Sequence, residues 1–261
     1  MSKAIRFGLT LMIAATLAFS IPSARADEHG SKENKAEKPT VLITGANRGL
    51  GLEFAKQYAA DGWHVIGTAR KPERADDLKA LDVEVAQLDV ADADSIAALA
   101  QSLEGRPIDM LINNAGIFPR ASSINEVDFD DYMQTLVVNT VGPVRVTRAL
   151  LPHLRKGDKK TIVNITSRLG SIELTTSGVF YGYRESKAAL NMFTKTLAVE
   201  LQPEGFTCLT VHPGWVQTDM GGANANLTPE ESISGMRATI EKLGPAETGT
   251  YWSYAGEEVP W

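Results

Sequence analysis

Short runs rich in Val, Ile and Leu recur along the chain as TVLITGA, HVIGTAR, VEVAQLDV, DMLINNAG, TIVNITS and FTCLTVHPG, each followed by a longer amphipathic or polar stretch. Strands that are apolar at nearly every position have no face to offer to water, so they need cover on both sides. Parallel neighbours also need a crossover between them, most often a helix. The alternation therefore predicts an α/β fold, a single doubly wound parallel sheet with helices on both faces and ligands at the carboxyl ends of the strands. A last short run, YWSYAG, is expected to close the sheet. No internal repeat or second domain boundary is visible.

The first segment follows a different rule. Lys3 and Arg6 precede an uncharged, mostly apolar stretch from Phe7 to Ile21, and Ala24-Arg25-Ala26 fits the small-x-small pattern of a cleavage site. Residues 1–26 are expected to be a signal peptide for the general export route, since there is no twin arginine. The alternative is an uncleaved anchor, but the apolar stretch is shorter than the roughly 20 residues a spanning helix needs. Residues 27–38, DEHGSKENKAEK, mix both charges without apolar periodicity and are expected to form a disordered linker. The folded domain is expected over 39–261, periplasmic or secreted, with no stable membrane span after cleavage. If the leader is not a signal, the protein is cytoplasmic.

Charge and cysteine content exclude other classes. Asp and Glu outnumber Lys and Arg 32 to 26, a formal net charge of −6, which disfavours a nucleic-acid partner. Cys208 is alone, so neither an internal disulfide nor a cysteine zinc site is expected. His29, His64, His153 and His212 are scattered without ligand spacing, and no metal is expected.

Thr44-Gly45-Ala46-Asn47-Arg48-Gly49-Leu50-Gly51 lies between the first strand and a helix beginning near Leu50. Gly45 allows the tight turn, Gly49 removes a Cβ that would block a diphosphate, and Gly51 lets the helix pack on the strand. Asn47, Arg48 and Leu50 fall within the loop, whose helix N–H groups can receive negative charge. The sheet becomes a Rossmann-type one by this reading, although an ordinary strand-to-helix turn has the same length. The second strand ends Gly67-Thr68-Ala69-Arg70, without the acid that would bind a ribose 2′-hydroxyl. Arg70 and Arg48 could instead take a 2′-phosphate, so NADP is preferred and NAD remains possible; both arginines could also be solvated surface charges.

Tyr183 and Lys187 are four residues apart in a segment of helical periodicity, YRESKAALNMFTKTLAVEL, and so share a helix face. A cation near a phenol favours phenolate and brings its pKa towards working range. Tyr181 has Glu185 at the same offset, which has the opposite effect. Ser167 ends the fifth strand pattern, sixteen residues before Tyr183. With the glycine loop, Asn113-Asn114-Ala115-Gly116 and Asn139 in VVNTVGP, these residues form an ordered set that resembles the short-chain dehydrogenase/reductase family over about Thr40 to Trp261.

That resemblance implies an NAD(P)-dependent oxidoreductase that reduces a ketone or aldehyde to an alcohol, or the reverse. It implies Tyr183 as general acid-base, Lys187 lowering its pKa and holding the nicotinamide ribose, Ser167 bonding the substrate oxygen and Asn139 supporting a water-linked proton relay. Asn113, Ala115 and Gly116 would help fix the cofactor and the central sheet, Asp89 would meet the adenine side, and Pro213, Gly214, Val216 and Thr218 would flank the nicotinamide. HPGWVQTDMGGANANLTPEES and the terminal GEEVPW are similar to the compact carbonyl-reductase-like, C-factor-like branch. Leu174, Val179, Phe180, Trp215 and Met220 could line the substrate site or simply pack. A small carbonyl or alcohol is the expected partner, and both a monomer and a homo-oligomer are open. The leader motivates a second reading, an exported nucleotide-binding signalling or regulatory protein with weak or incidental catalysis.

Overall fold

The structure, a computed structural model, describes residues 38–261. The expected signal peptide, and all of the expected linker but Lys38, lie outside the described residues. Seven strands form one sheet: β1 (Thr40–Ile43), β2 (His64–Ala69), β3 (Glu84–Gln87), β4 (Met110–Asn113), β5 (Thr161–Ile165), β6 (Thr207–His212) and β7 (Thr250–Ser253). Their order is β3-β2-β1-β4-β5-β6-β7 and every pairing is parallel. All seven apolar runs of the sequence are therefore strands, as the alternation predicted.

Between them run α1 (Gly49–Ala60), α2 (Asp76–Lys79), α3 (Ala93–Ser102), α4 (Phe129–Leu136), α5 (Gly142–Leu154), α6 (Tyr183–Leu201) and α7 (Pro229–Lys242). Successive strand residues point to opposite faces, and the core divides accordingly. Val41, Ile43, Met110, Ile112, Val163 and Ile165 pack with Phe54 of α1 and Met236 of α7. Leu42, Leu111 and Ile162, one position out of phase, pack with Leu99 of α3, Leu150 of α5 and Leu197 of α6 on the other face. Each such side chain, fully buried, contributes about 1.5–3 kcal/mol from its removal from water, which is why the runs are apolar without interruption.

The chain winds outward in both directions from β1 and β4, so the connections after these two strands leave on opposite faces. A crevice opens between their carboxyl ends, where this class of sheet binds ligands. Two local choices aim elements at it. Gly182, at φ +79°, turns the chain so that α6 starts at Tyr183. Thr228 and Glu231 form a reciprocal capping box that starts α7 below the loop leaving β6.

Candidate active site

The glycine loop closes over the carboxyl end of β1. Gly45 (φ +66°) and Gly49 (φ +54°) occupy the left-handed region, which other residues enter only with strain. A Cβ on Gly51 would lie 2.2 Å from the Gly45 carbonyl oxygen, so α1 can approach the loop only through glycine. A Cβ on Gly49 would instead project towards Thr218, 3.5 Å away. Gly49 thus leaves a cradle between the first turn of α1, whose N–H groups lack helical partners, and the loop after β6. That cradle fits a diphosphate, and Gly49, Leu50 and Gly51 would supply its donors.

Asn114 holds the loop in shape: its Nδ2 donates to the carbonyls of Thr44 (2.9 Å) and Gly45 (3.1 Å). Thr44 Oγ1 in turn accepts from the N–H groups of Asn114 (2.9 Å) and Ala115 (3.0 Å). Asn113, one residue earlier, points into the sheet and donates to Asn164 Oδ1 (2.8 Å) and Thr147 Oγ1 (3.1 Å). The sequence reading gives Asn113, Ala115 and Gly116 the role of fixing the cofactor and the central sheet, and assigns no role to Asn114. The available signal was period two: with Asn113 on the sheet, Asn114 must face the opposite way.

The end of β2 joins the same cradle, because the Thr68 carbonyl accepts from Ala46 N–H at 2.7 Å. Arg70 follows two residues on and is exposed. Arg48, also exposed, forms an ion pair with Asp219 at 2.6 Å, so the glycine loop and the loop after β6 touch. Asp89 follows β3 and is half-buried, with Oδ1 accepting from Ala91 N–H at 2.9 Å. Asn47 is half-buried in the loop. After β6, Gly214 has φ +79°, and a Cβ there would strike Leu227 at 2.5 Å. Pro213 precedes it, and Val216 forms a bridge with Leu227 beyond it. Trp215 is fixed through Nε1–H to the Gly221 carbonyl (2.8 Å), and the Met220 carbonyl accepts from Arg120 (3.1 Å).

Ser167, Tyr183 and Lys187 meet beside this cradle. Lys187 is buried, its Nζ donating to the Ile165 carbonyl (2.9 Å) and lying 5.7 Å from the centre of the Tyr183 ring. Burial lowers the Lys187 pKa to about 8. Burial also pushes Tyr183 up to about 12, partly offset by its hydrogen bond with Ser167. The sense is opposite to the lowering that the resemblance implied, because loss of hydration on burial dominates. The phenol is therefore fully protonated at neutral pH.

Asn139 sits in a five-residue π-helical turn, Val137–Val141, between α4 and α5. Such widened turns re-aim a side chain and concentrate at functional sites. Its Oδ1 accepts from Ile117 N–H (2.9 Å), while Nδ2 donates to the Ile117 carbonyl (2.9 Å) and to Ser186 Oγ (3.1 Å). Ser186 Oγ donates to the Tyr183 carbonyl at 2.7 Å. Asn139 thus locks the loop after β4 to the start of α6. Gly116 completes the contact, since a Cβ there would lie 3.3 Å from Asn139 Oδ1 and 3.7 Å from Lys187 Nζ.

Aromatic residues wall the opening. Phe118 meets the Tyr183 ring edge-on (4.5 Å between centres) and packs on Phe180 (5.0 Å). Phe180 has φ +65°, a strained conformation that costs about 1–3 kcal/mol and recurs at ligand sites. Leu174 and Val179 are half-buried nearby in sequence on the same loop. The sequence reading proposed Phe180 but missed Phe118, two residues beyond the Asn-Asn-Ala-Gly run. Tyr181, by contrast, lines a separate cleft of about 240 Å³ with Arg120, Asp131 and Tyr132.

A dinucleotide cradle with a Ser-Tyr-Lys cluster at the carboxyl edge of a doubly wound sheet defines a nicotinamide-dependent oxidoreductase. The family model for short chain dehydrogenase matches residues 39–227, and the chain belongs to the short-chain dehydrogenase/reductase family. Among curated proteins, C-signal of Myxococcus xanthus is 45% identical over 164 residues, 63% of this chain and 99% of that protein. Among solved structures, the carbonyl reductase Sniffer of D. melanogaster superposes with a TM-score of 0.80 at 35% identity, covering 86% of this chain and 100% of its own. The NADPH-bound carbonyl reductase from chicken fatty liver gives the same score and identity, covering 86% and 99%.

Proposed function

We propose that the protein is an NADP-dependent carbonyl reductase acting on small ketones or aldehydes. The observation that carries this reading is the buried Tyr183 phenol with the buried Lys187 ammonium 5.7 Å from its ring centre, at the end of β5 that bears Ser167. A nicotinamide dinucleotide held in the glycine-loop cradle would supply the hydride. Tyr183 gives its proton to the substrate oxygen as that oxygen gains charge, and the Ser167 hydroxyl donates to the same oxygen. A donor already fixed before charge develops needs no reorganisation at the moment of reaction. Lys187 uses one N–H on Ile165, leaving two for the nicotinamide ribose. It carries its charge at pH 7 and opposes the cost of a transient phenolate. Phe118 and Phe180 exclude water from the acid.

A protonated phenol is ready to serve as the acid of the reduction, and the same group serves as base in the reverse reaction. Arg48 and Arg70, with no acid at the end of β2, support the choice of NADP, as does the NADPH bound to the chicken relative. The test is a panel of carbonyls with NADPH and NADH. Wild-type protein should turn over at least one with NADPH, and Tyr183→Phe should lose that turnover; unchanged turnover in the variant excludes the mechanism.

A second reading is motivated by the relative named C-signal and by the leader at residues 1–26. In it the protein is exported, and nucleotide binding serves signalling with incidental catalysis. Among the described residues no helix is long and apolar enough to cross a membrane. Fusing residues 1–38 to a reporter active only after export tests the address. Cofactor content and reductase activity of the exported fraction then separate the readings, since a stable cofactor-free protein without turnover favours signalling.

A further inference from the structure

The last strand and the GEEVPW segment take no part in the chemistry above, yet they touch it. Tyr251 of β7 is 1% exposed, and its phenol donates to the Ser167 carbonyl at 2.7 Å. Gly170 N–H donates to the same oxygen at 2.8 Å, so both lone pairs of that carbonyl are used. Ser167 Oγ also accepts from Leu169 N–H at 3.2 Å.

Beyond β7 the chain doubles back on itself. Ser253 N–H donates to the Glu257 carbonyl (2.8 Å), Val259 N–H donates to the Tyr251 carbonyl (2.7 Å), and Trp252 pairs with Glu258 in an antiparallel bridge. The return brings the Trp261 indole onto the Tyr251 ring, 5.5 Å between centres. The Trp261 carbonyl accepts from Glu173 N–H at 3.0 Å. Glu173 belongs to the loop between Ser167 and Tyr183, where Ile172 is 77% exposed and Glu173 and Thr175 to Gly178 are also exposed. A loop with so little buried surface needs an external tether to hold one shape.

We propose that Tyr251 is a positioning residue for Ser167, and that Trp261 clamps the substrate-side loop to β7. The Ser167 side chain hangs one bond from a backbone whose carbonyl Tyr251 holds. Losing that donor lets the short 3₁₀ turn Arg168–Gly170 rotate and moves the hydroxyl from its place beside Tyr183. Displacements of this size far from the reacting atoms cost rate because catalysis depends on geometry. Trp261 acts one step further out, on the loop that bears Leu174, Val179 and Phe180, so it governs fit of the substrate more than the rate.

This inference rests on the reductase reading through Ser167. Tyr251→Phe keeps the ring and removes only the donor. One hydrogen bond is worth roughly a fivefold to tenfold change, and kcat for carbonyl reduction should fall by that much with KM for NADPH unchanged. In single-turnover measurements on a Ser167→Ala background the same substitution should cost nothing further. Trp261→Ala should raise KM for the carbonyl with kcat held, and Trp261→Phe should restore it. Hydrogen exchange supplies a readout independent of turnover: both Tyr251→Phe and Trp261→Ala should speed exchange at Gly170 and Glu173 while the amides of β1 keep their protection. A protein that reduces no carbonyl defeats the proposed function, and exchange then decides the positioning claim alone. Wild-type kcat in Tyr251→Phe, an equal loss in the Ser167→Ala background, or unchanged exchange at Gly170 and Glu173 overturns it.

Discussion

Replacing Lys187 by methionine is expected to make the protein more stable and inactive together. The lysine is 5% exposed, and burial lowers its pKa from 10.5 to about 8. At pH 7 the ammonium is charged in both the folded and the unfolded chain, so that drop measures its cost in the folded state, about 3 kcal/mol. Methionine fills similar space without charge but leaves the Ile165 carbonyl without the lysine donor, a loss of about 1–2 kcal/mol. The net gain at pH 7 is about 1–2 kcal/mol. The sign with pH follows from proton binding. Between the folded pKa of about 8 and the unfolded 10.5, the unfolded wild type binds more protons than the folded one, so wild-type stability rises there. The gap between variant and wild type should therefore shrink by about 2 kcal/mol from pH 7 to pH 9.5. Urea unfolding of both proteins at the two pH values measures it, with reductase assays alongside. The variant should lose activity on the order of a hundredfold or more, the usual effect of disabling an acid-base group. A variant less stable than wild type at pH 7, or a gap that does not change with pH, refutes the reasoning.

Four further substitutions test other parts of the site. His212 is buried with its pKa lowered to about 4, desolvation being the main cause and the Arg168 charge the lesser. Protons then bind the unfolded chain first between pH 6.5 and 4, and wild type should lose about 3 kcal/mol across that window as pH falls. His212→Asn should flatten that slope in denaturant titrations, and an unchanged slope counts against a neutral buried imidazole. Gly51→Ala pushes a methyl to within 2.2 Å of the Gly45 carbonyl. It should cost about 1–3 kcal/mol in thermal unfolding and weaken NADPH binding. Arg48→Ala and Arg70→Ala should each raise the Kd for NADPH roughly tenfold to a hundredfold, the worth of a charge-assisted contact, and leave the Kd for NADH unchanged in fluorescence titrations. Equal effects on both cofactors would remove these arginines from the 2′-phosphate.

The sheet was legible because its cause is local. A strand covered on both faces must be apolar at each position, and Val41-Leu42-Ile43 and Ile162-Val163 declare that without help from the rest of the chain. The Tyr183 and Lys187 pair was legible for a similar reason, since helix geometry fixes which residues share a face. What periodicity does not carry is a departure from it. The π-helical turn at Val137–Val141 shifts Asn139 away from where a regular helix would aim it, and nothing in VVNTVGP marks the extra residue. Nor does a sequence state the sign of a balance between burial and charge. Their spacing shows that Tyr183 and Lys187 share a face, but not how deeply both are buried, and it is burial that raises the one pKa and lowers the other. The contacts of GEEVPW with Tyr251 and Glu173 join positions far apart in the chain, and no local pattern in that segment records them.

One feature of α6 explains why the catalytic pair can be held to such tolerances. Tyr183, Lys187, Asn191 and Thr194 lie on the face turned to the sheet, and all four are buried. Lys187 donates to Ile165, Asn191 Oδ1 accepts from Thr166 Oγ1 (2.7 Å) while its Nδ2 donates to the Gly170 carbonyl (3.2 Å), and Thr194 Oγ1 accepts from Asn164 Nδ2 (2.8 Å). Asn164 continues to Asn113 and so to Thr147 of α5. An apolar face would let α6 slide or rotate among packings of similar energy, whereas a hydrogen-bonded face has one register, because any slip leaves buried polar groups without partners. The polar face is thus the device that sets the helix, and with it Tyr183 and Lys187, against the end of β5 where Ser167 stands.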